Sequence, residues 1–215
     1  MKNQKPQILR SLKLAVKIFN ECKANYRIVG SMLVTSIAKR IFRRVGDLDV
    51  LLDNKSYPIV LHKLEESGYV LKKKNWGFFK WIEAEKIDCL GFTFLLVGDF
   101  TDTYFTYRMF PHVELRIRIE YLNPTNYSFE EVTFVGIPRS SVMAGIRQAF
   151  LNPKRKLDKQ ILLEFTKNDT SQQTYDNLQV FIFGIKIPYL YDIFSFFYNI
   201  YGGFRVMFGK KYETW

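Results

Sequence analysis

The sequence predicts an α+β domain: a mixed sheet flanked by helices, followed by an aromatic-rich C-terminal segment expected to be helical. Three observations predict it. Up to Gly68 helical and extended patterns alternate in the order α-β-α-β-α; from Tyr69 to Pro138 extended patterns follow one another; after Ser140 helical periodicity returns. At 215 residues the chain fits one domain with an appendage, and 47% hydrophobic and 17% aromatic residues are enough to bury a core.

Ile8, Leu12, Ala15, Phe19 and Cys22 recur at spacings of four and three, so Pro6 to Cys22 reads as an amphipathic helix. Tyr26 to Val29 is a short β-type run that stops at Gly30-Ser31. Leu33, Ile37 and Ile41 then lay an apolar stripe on a helix from Met32 to Phe42, and Gly46 ends it. In Asp47-Leu48-Asp49-Val50-Leu51-Leu52 strand alternation turns Asp47 and Asp49 to one face and Leu48, Val50 and Leu52 to the other. Ser56 caps a helix through Glu66, with Pro58 in its first turn and Gly68 as its C′ residue.

Beyond Gly68, Tyr69 to Leu71, Phe78 to Ile82 and Ile87 to Leu96 read as antiparallel strands with a hairpin around Glu85. Gly98 to His112 reads as a loop or lid. Val113 to Tyr121 alternates strictly, with Glu114, Arg116, Arg118 and Glu120 on one face. Val132 to Pro138 is a further strand. Ser140 or Ser141 caps a helix through Phe150, Asn152-Pro153 breaks it, and Lys156 to Phe165 forms another.

Two carboxylates sharing one small volume repel, and a divalent cation is the usual neutraliser. Mg²⁺ is commonly held by one or two carboxylates together with nucleotide phosphate oxygens. Gly30 supplies the complementary half: lacking a Cβ it lets backbone N–H groups approach a phosphate, Ser31 adds a hydroxyl, and the helix that follows presents its N-terminus to an anion. The plainer reading is a βαβ unit whose aspartates are solvated or cap the next helix.

Val29-Gly30-Ser31, a helix, and then Asp47-Leu48-Asp49-Val50 resembles the signature of the polymerase-β-like nucleotidyltransferases. The resemblance implies that fold, an NTP substrate on Gly30-Ser31, and Mg²⁺ (or Mn²⁺) on Asp47 and Asp49. It also implies a third carboxylate on a later strand, for which Asp88 is the first candidate and Glu114 the alternative. Val132 to Phe165 resembles the AbiEii-like toxin–antitoxin nucleotidyltransferases in part. Where that group has Arg-x-Lys-Asp-x-x-Asp, Lys154-Arg155-Lys156-Leu157-Asp158-Lys159 keeps the basic residues and one acid.

The balance of 32 Lys and Arg against 21 Asp and Glu gives +11, which favours a polyanion as partner over a polycation. Cationic aminoglycosides thus match poorly as acceptors, and RNA, a tRNA end in particular, matches better. Lys39, Arg43 and Arg44 are expected at the nucleotide or lining the approach to it, with Lys72 to Lys74 and Lys154 to Lys156 as further phosphate contacts. The rival from another class is a non-catalytic nucleotide-binding or antitoxin-like partner that retains the fold. His62 and His112 have no Ser or Cys motif beside them that would make a triad enzyme. Cys22 and Cys89 lack metal-site spacing and suit a reducing cytoplasm, and the N-terminal segment has no signal-peptide core.

The expected organisation is therefore a domain over residues 1–165, a polar linker over 166–177, and the aromatic-rich segment over 178–215. Lys186, Pro188 and Asp192 keep that segment short of the roughly 18 uncharged residues of a membrane span. Its readings, in order, are a helix docked on the core, an oligomer interface, a membrane-surface helix, and a base-stacking surface.

Overall fold

The computed structural model describes residues 4–76, 79–146, 153–165, 178–190 and 193. Among them eleven strands join in one mixed sheet, with helices packed against it. The first half runs α1 (Lys5–Glu21), β1 (Tyr26–Val29), α2 (Gly30–Ala38), β2 (Asp47–Asp53), α3 (Tyr57–Glu66), β3 (Val70–Trp76), β4 (Phe79–Glu85) and β5 (Gly91–Phe100). The second runs β6 (Tyr104–Phe110), β7 (Val113–Arg118), a 3₁₀ turn (Ile119–Leu122), β8 (Thr125–Phe129), β9 (Val132–Gly136), α4 (Arg139–Ile146), α5 (Pro153–Phe165), β10 (Leu178–Ile182) and β11 (Ile185–Ile187).

The strand order is β11-β10-β7-β6-β5-β2-β1-β9-β8, with the β3–β4 hairpin attached to β5. β5 is the branch point. Its first half lies between β2, parallel to it, and β4, antiparallel to it; its end pairs with β6. A bulge on β5 between the partners of Val50 and Leu51 lets the strand serve both.

Two apolar clusters lie on opposite faces. Leu48, Val50 and Leu52 of β2 join Ile8, Phe19, Ile28 and Met32 in the larger one, beneath α1, α2 and α3. Leu51 faces the other way and joins Val29, Phe105, Tyr107, Leu115 and Val180. Because side chains alternate along β2, Asp47 and Asp49 share the face of Leu51.

Four expectations change. The helix after Gly30 ends at Ala38, where Lys39 turns left-handed (φ 55°) and its Nζ donates to the carbonyl and hydroxyl of Ser128 on β8, so Ile41 lies outside it. The stretch expected to be a loop or lid carries β6, because Phe105 and Tyr107 alternate into the second cluster. Only the turns on either side of it are irregular, and in the first Thr101 Oγ1 accepts the backbone N–H of Tyr104. The strand expected from Val113 to Tyr121 ends at Arg118, where Ile119–Leu122 form a 3₁₀ turn, and the unassigned TNYSF beyond it forms β8 by pairing with β9. The aromatic-rich segment opens not as a helix but as the β10–β11 hairpin on β7, with the Arg116 guanidinium 4.1 Å from the centre of the Phe181 ring. The polar linker and residues 194–215 lie outside the described residues. Among the described residues no helix is long and apolar enough to cross a membrane.

Candidate active site

β1 and β2 pair antiparallel with Val29 opposite Asp49, which brings the start of α2 against the second aspartate. Gly30 holds φ +66°, and a methyl group placed on it would come within 2.8 Å of Asp49 Cγ and closer still to a carboxylate oxygen. Glycine is needed here for both reasons: the left-handed turn and the space that the carboxylate fills. Ser31 follows in the first turn of α2, buried.

Asp47 and Asp49 are half-buried on the same strand face. Withdrawal from water, and then the neighbouring Asp47, push the Asp49 carboxyl up to about 7, against the opposing pull of Arg155 and Arg43. A carboxylate pair in that condition favours a cation beside it. The donor set therefore fits a hard divalent ion such as Mg²⁺.

The register across the sheet names the next residues on this face. Asp49 lies opposite Thr93 on β5, and Thr93 lies opposite Glu83 on β4. Thr93 Oγ1 donates to Asp47 Oδ2, so a hydroxyl stands beside the pair where the row continues. Glu83, one strand further, accepts from Trp81 Nε1 at 2.9 Å and faces Lys74 at 3.7 Å. Thr93 escaped the sequence reading because its importance comes from the β2–β5 register, which joins residues 44 positions apart. The signal available was its odd polarity within Gly91 to Leu96.

The structure does not bring the two candidate third acids to the pair. Asp88 sits in an exposed turn at φ 59°, ahead of the first residue of β5 and not within an apolar strand. Glu114 lies three strands from β2 on the opposite sheet face, where it accepts from Arg116 at 2.9 Å and pairs with Arg108 at 3.6 Å. Among the described residues no three His, Cys, Asp or Glu side chains gather closely enough to hold a metal ion.

The basic residues divide by location. Lys39, bound to Ser128, stands at the far end of α2, roughly 13 Å along the helix from Gly30. Arg43 is buried and makes a two-pronged ion pair with the fully buried Asp158 of α5, Nε to Oδ1 at 2.6 Å and Nη2 to Oδ2 at 2.8 Å. Arg155 joins the same carboxylate at 3.4 Å. The pair ties the loop before β2 to α5, and with it the Lys154-Arg155 corner comes close to the aspartates. Burial, with Arg43 and Arg44 nearby, lowers the Lys154 pKa, while Asp47 acts to raise it. Ser56 is the N-cap residue of α3 but its side chain makes no capping bond; its N–H and hydroxyl both donate to Asp53 Oδ2.

No protein-family model and no curated protein sequence matches the chain. Solved structures do. A lincosamide antibiotic adenylyltransferase, LnuA with lincomycin bound, superposes with a TM-score of 0.60 at 18% identity, over 73% of this chain and 97% of that one. ANT(2″)-Ia in complex with adenylyl-2″-tobramycin superposes with a TM-score of 0.55 at 10% identity, over 71% and 86%. Its solution structure gives 0.54, also at 10% identity, over 72% and 82%. The chain has the mixed α+β fold of these nucleotidyltransferases.

Proposed function

We propose that this protein is a nucleotidyltransferase that moves a nucleoside monophosphate from an NTP to an acceptor hydroxyl. The observation that carries the reading is the packing of Gly30 under Asp49, which sets a helix-opening glycine turn against a carboxylate pair. The Gly30-Ser31 turn and the first N–H groups of α2 hold the phosphates. Asp47 and Asp49 would hold a divalent cation, which would supply positive charge to screen the phosphates and polarise the bond to be broken. Lys154 and Arg155 add positive charge on the phosphate side, kept there by the Arg43–Asp158 brace. Arg44, close enough to act on Lys154, supports the same role. The acceptor oxygen attacks the α-phosphorus, pyrophosphate leaves, and the acceptor proton passes to solvent or a nearby base.

For the acceptor, the +11 charge supports RNA. A second reading, a small hydroxylated organic acceptor, is favoured by the fold likeness to a lincosamide adenylyltransferase solved with lincomycin bound. Incubation with each labelled NTP, Mg²⁺ and either total RNA or a panel of small hydroxylated compounds tests both. The Asp47→Asn/Asp49→Asn double variant serves as control. Label transferred by wild type and lost by several orders of magnitude in the variant is the expected result. Transfer undiminished in the variant would remove the assignment. NTP binding without transfer to anything would favour the non-catalytic partner.

A further inference from the structure

We infer that the site is built for a single divalent ion held by Asp47 and Asp49, with Thr93 as the positioning residue that orients Asp47 in place of a third carboxylate. The inference rests on the nucleotidyltransferase reading and deepens it. Its first support is the register. Of the β5 residues opposite the two aspartates, Gly91 has no side chain, and Thr93, opposite Asp49, is 6% exposed and turned toward the pair. A neutral hydroxyl there already donates to Asp47 Oδ2. It therefore holds one carboxylate oxygen and leaves the other to coordinate, as an outer-shell partner does.

The second support is charge. Two divalent ions a few ångströms apart bring about four positive charges and need several carboxylates and phosphates to share them. Here the aspartate face supplies two carboxylates, Asp47 and Asp49, while Arg43 and Arg155 are held on Asp158. The charge of one divalent ion matches the two carboxylates. The candidates for a further ligand point elsewhere: Asp88 lies in the exposed turn, Glu114 is across the sheet with Arg116, and Glu83 is a full strand beyond Thr93 and faces Lys74. No third acid among the described residues completes a ligand group with the pair.

The test counts Mn²⁺ by electron paramagnetic resonance and equilibrium dialysis in the presence of α,β-methylene-ATP and α,β-methylene-GTP, so it does not depend on turnover. Wild type is expected to bind one Mn²⁺ per nucleotide-loaded chain. Thr93→Val is expected to weaken that ion on the order of tenfold, as loss of an outer-shell partner does, and Thr93→Ser to restore it. Thr93→Asp is expected to take up a second Mn²⁺. Two ions on the wild-type chain, or Thr93→Val binding as tightly as wild type, would overturn the inference and leave the nucleotidyltransferase reading standing. Wild type that binds neither Mn²⁺ nor nucleotide would overturn both. The wild-type count decides the matter even if a variant fails to fold.

Discussion

Asp49 rests its carboxylate on Gly30, in the space that any other residue's Cβ would fill. The contact follows from the antiparallel pairing of Val29 with Asp49 and from the left-handed turn of Gly30 at φ +66°. It couples the two halves of the candidate site: the conformation of the glycine turn and the position of the Asp49 carboxylate are one geometric fact.

Gly30→Ala should therefore damage stability and activity together. The left-handed conformation alone costs a non-glycine residue roughly 1–3 kcal/mol, and the methyl group must also displace Asp49. We expect a lower thermal midpoint and nucleotide transfer reduced toward that of the Asp47→Asn/Asp49→Asn variant. Near-normal transfer would mean that the turn does not hold the substrate.

The metal-free protein should lose stability as pH rises. Asp49 binds its proton up to about 7 in the folded chain, whereas an unfolded aspartate releases it near about 4. Between those values the native state holds more protons than the unfolded state, so raising pH favours unfolding. Below the window both states are protonated, and above it both are ionised. Urea denaturation of wild type and Asp49→Asn from pH 4 to 8, in chelator, should show the variant losing less stability across the range. Adding Mg²⁺ should stabilise wild type more at pH 8 than at pH 5. Parallel curves for the two proteins would remove the explanation.

The Arg43–Asp158 brace is expected to be structural first. Removing one partner of a buried ion pair leaves a charge without compensation and costs roughly 3–5 kcal/mol, so Asp158→Ala should unfold at markedly lower denaturant. The double variant Arg43→Met/Asp158→Leu, which removes both charges, should recover most of that loss. If the double variant is as unstable as the single one, desolvated charge is not the reason.

What the sequence determined by itself is local. Gly30-Ser31, the periodicity that follows, and Asp47-Leu48-Asp49 specify a strand, a turn, a helix and a two-faced strand, because glycine conformation and side-chain alternation act over a few residues. That was enough to place the glycine turn and the aspartate pair in one unit of the chain. Asp53, in the same run, is held by Ser56 three residues later, also a local matter.

Tertiary structure decided everything that depends on which strands lie side by side. Asp88 and Glu114 have suitable chemistry, but one falls in a turn and the other on the far face. Thr93, with unremarkable chemistry, comes to the pair through the β2–β5 register. Arg43 reads as a free cation until α5 brings Asp158 to it across 115 positions of sequence. β8 and β10 are strands because their backbone groups find partners in β9 and β7, not because their composition demands it. Backbone hydrogen-bond pairing and face alternation across a sheet are properties of neighbours, and a single chain read in order does not contain its neighbours.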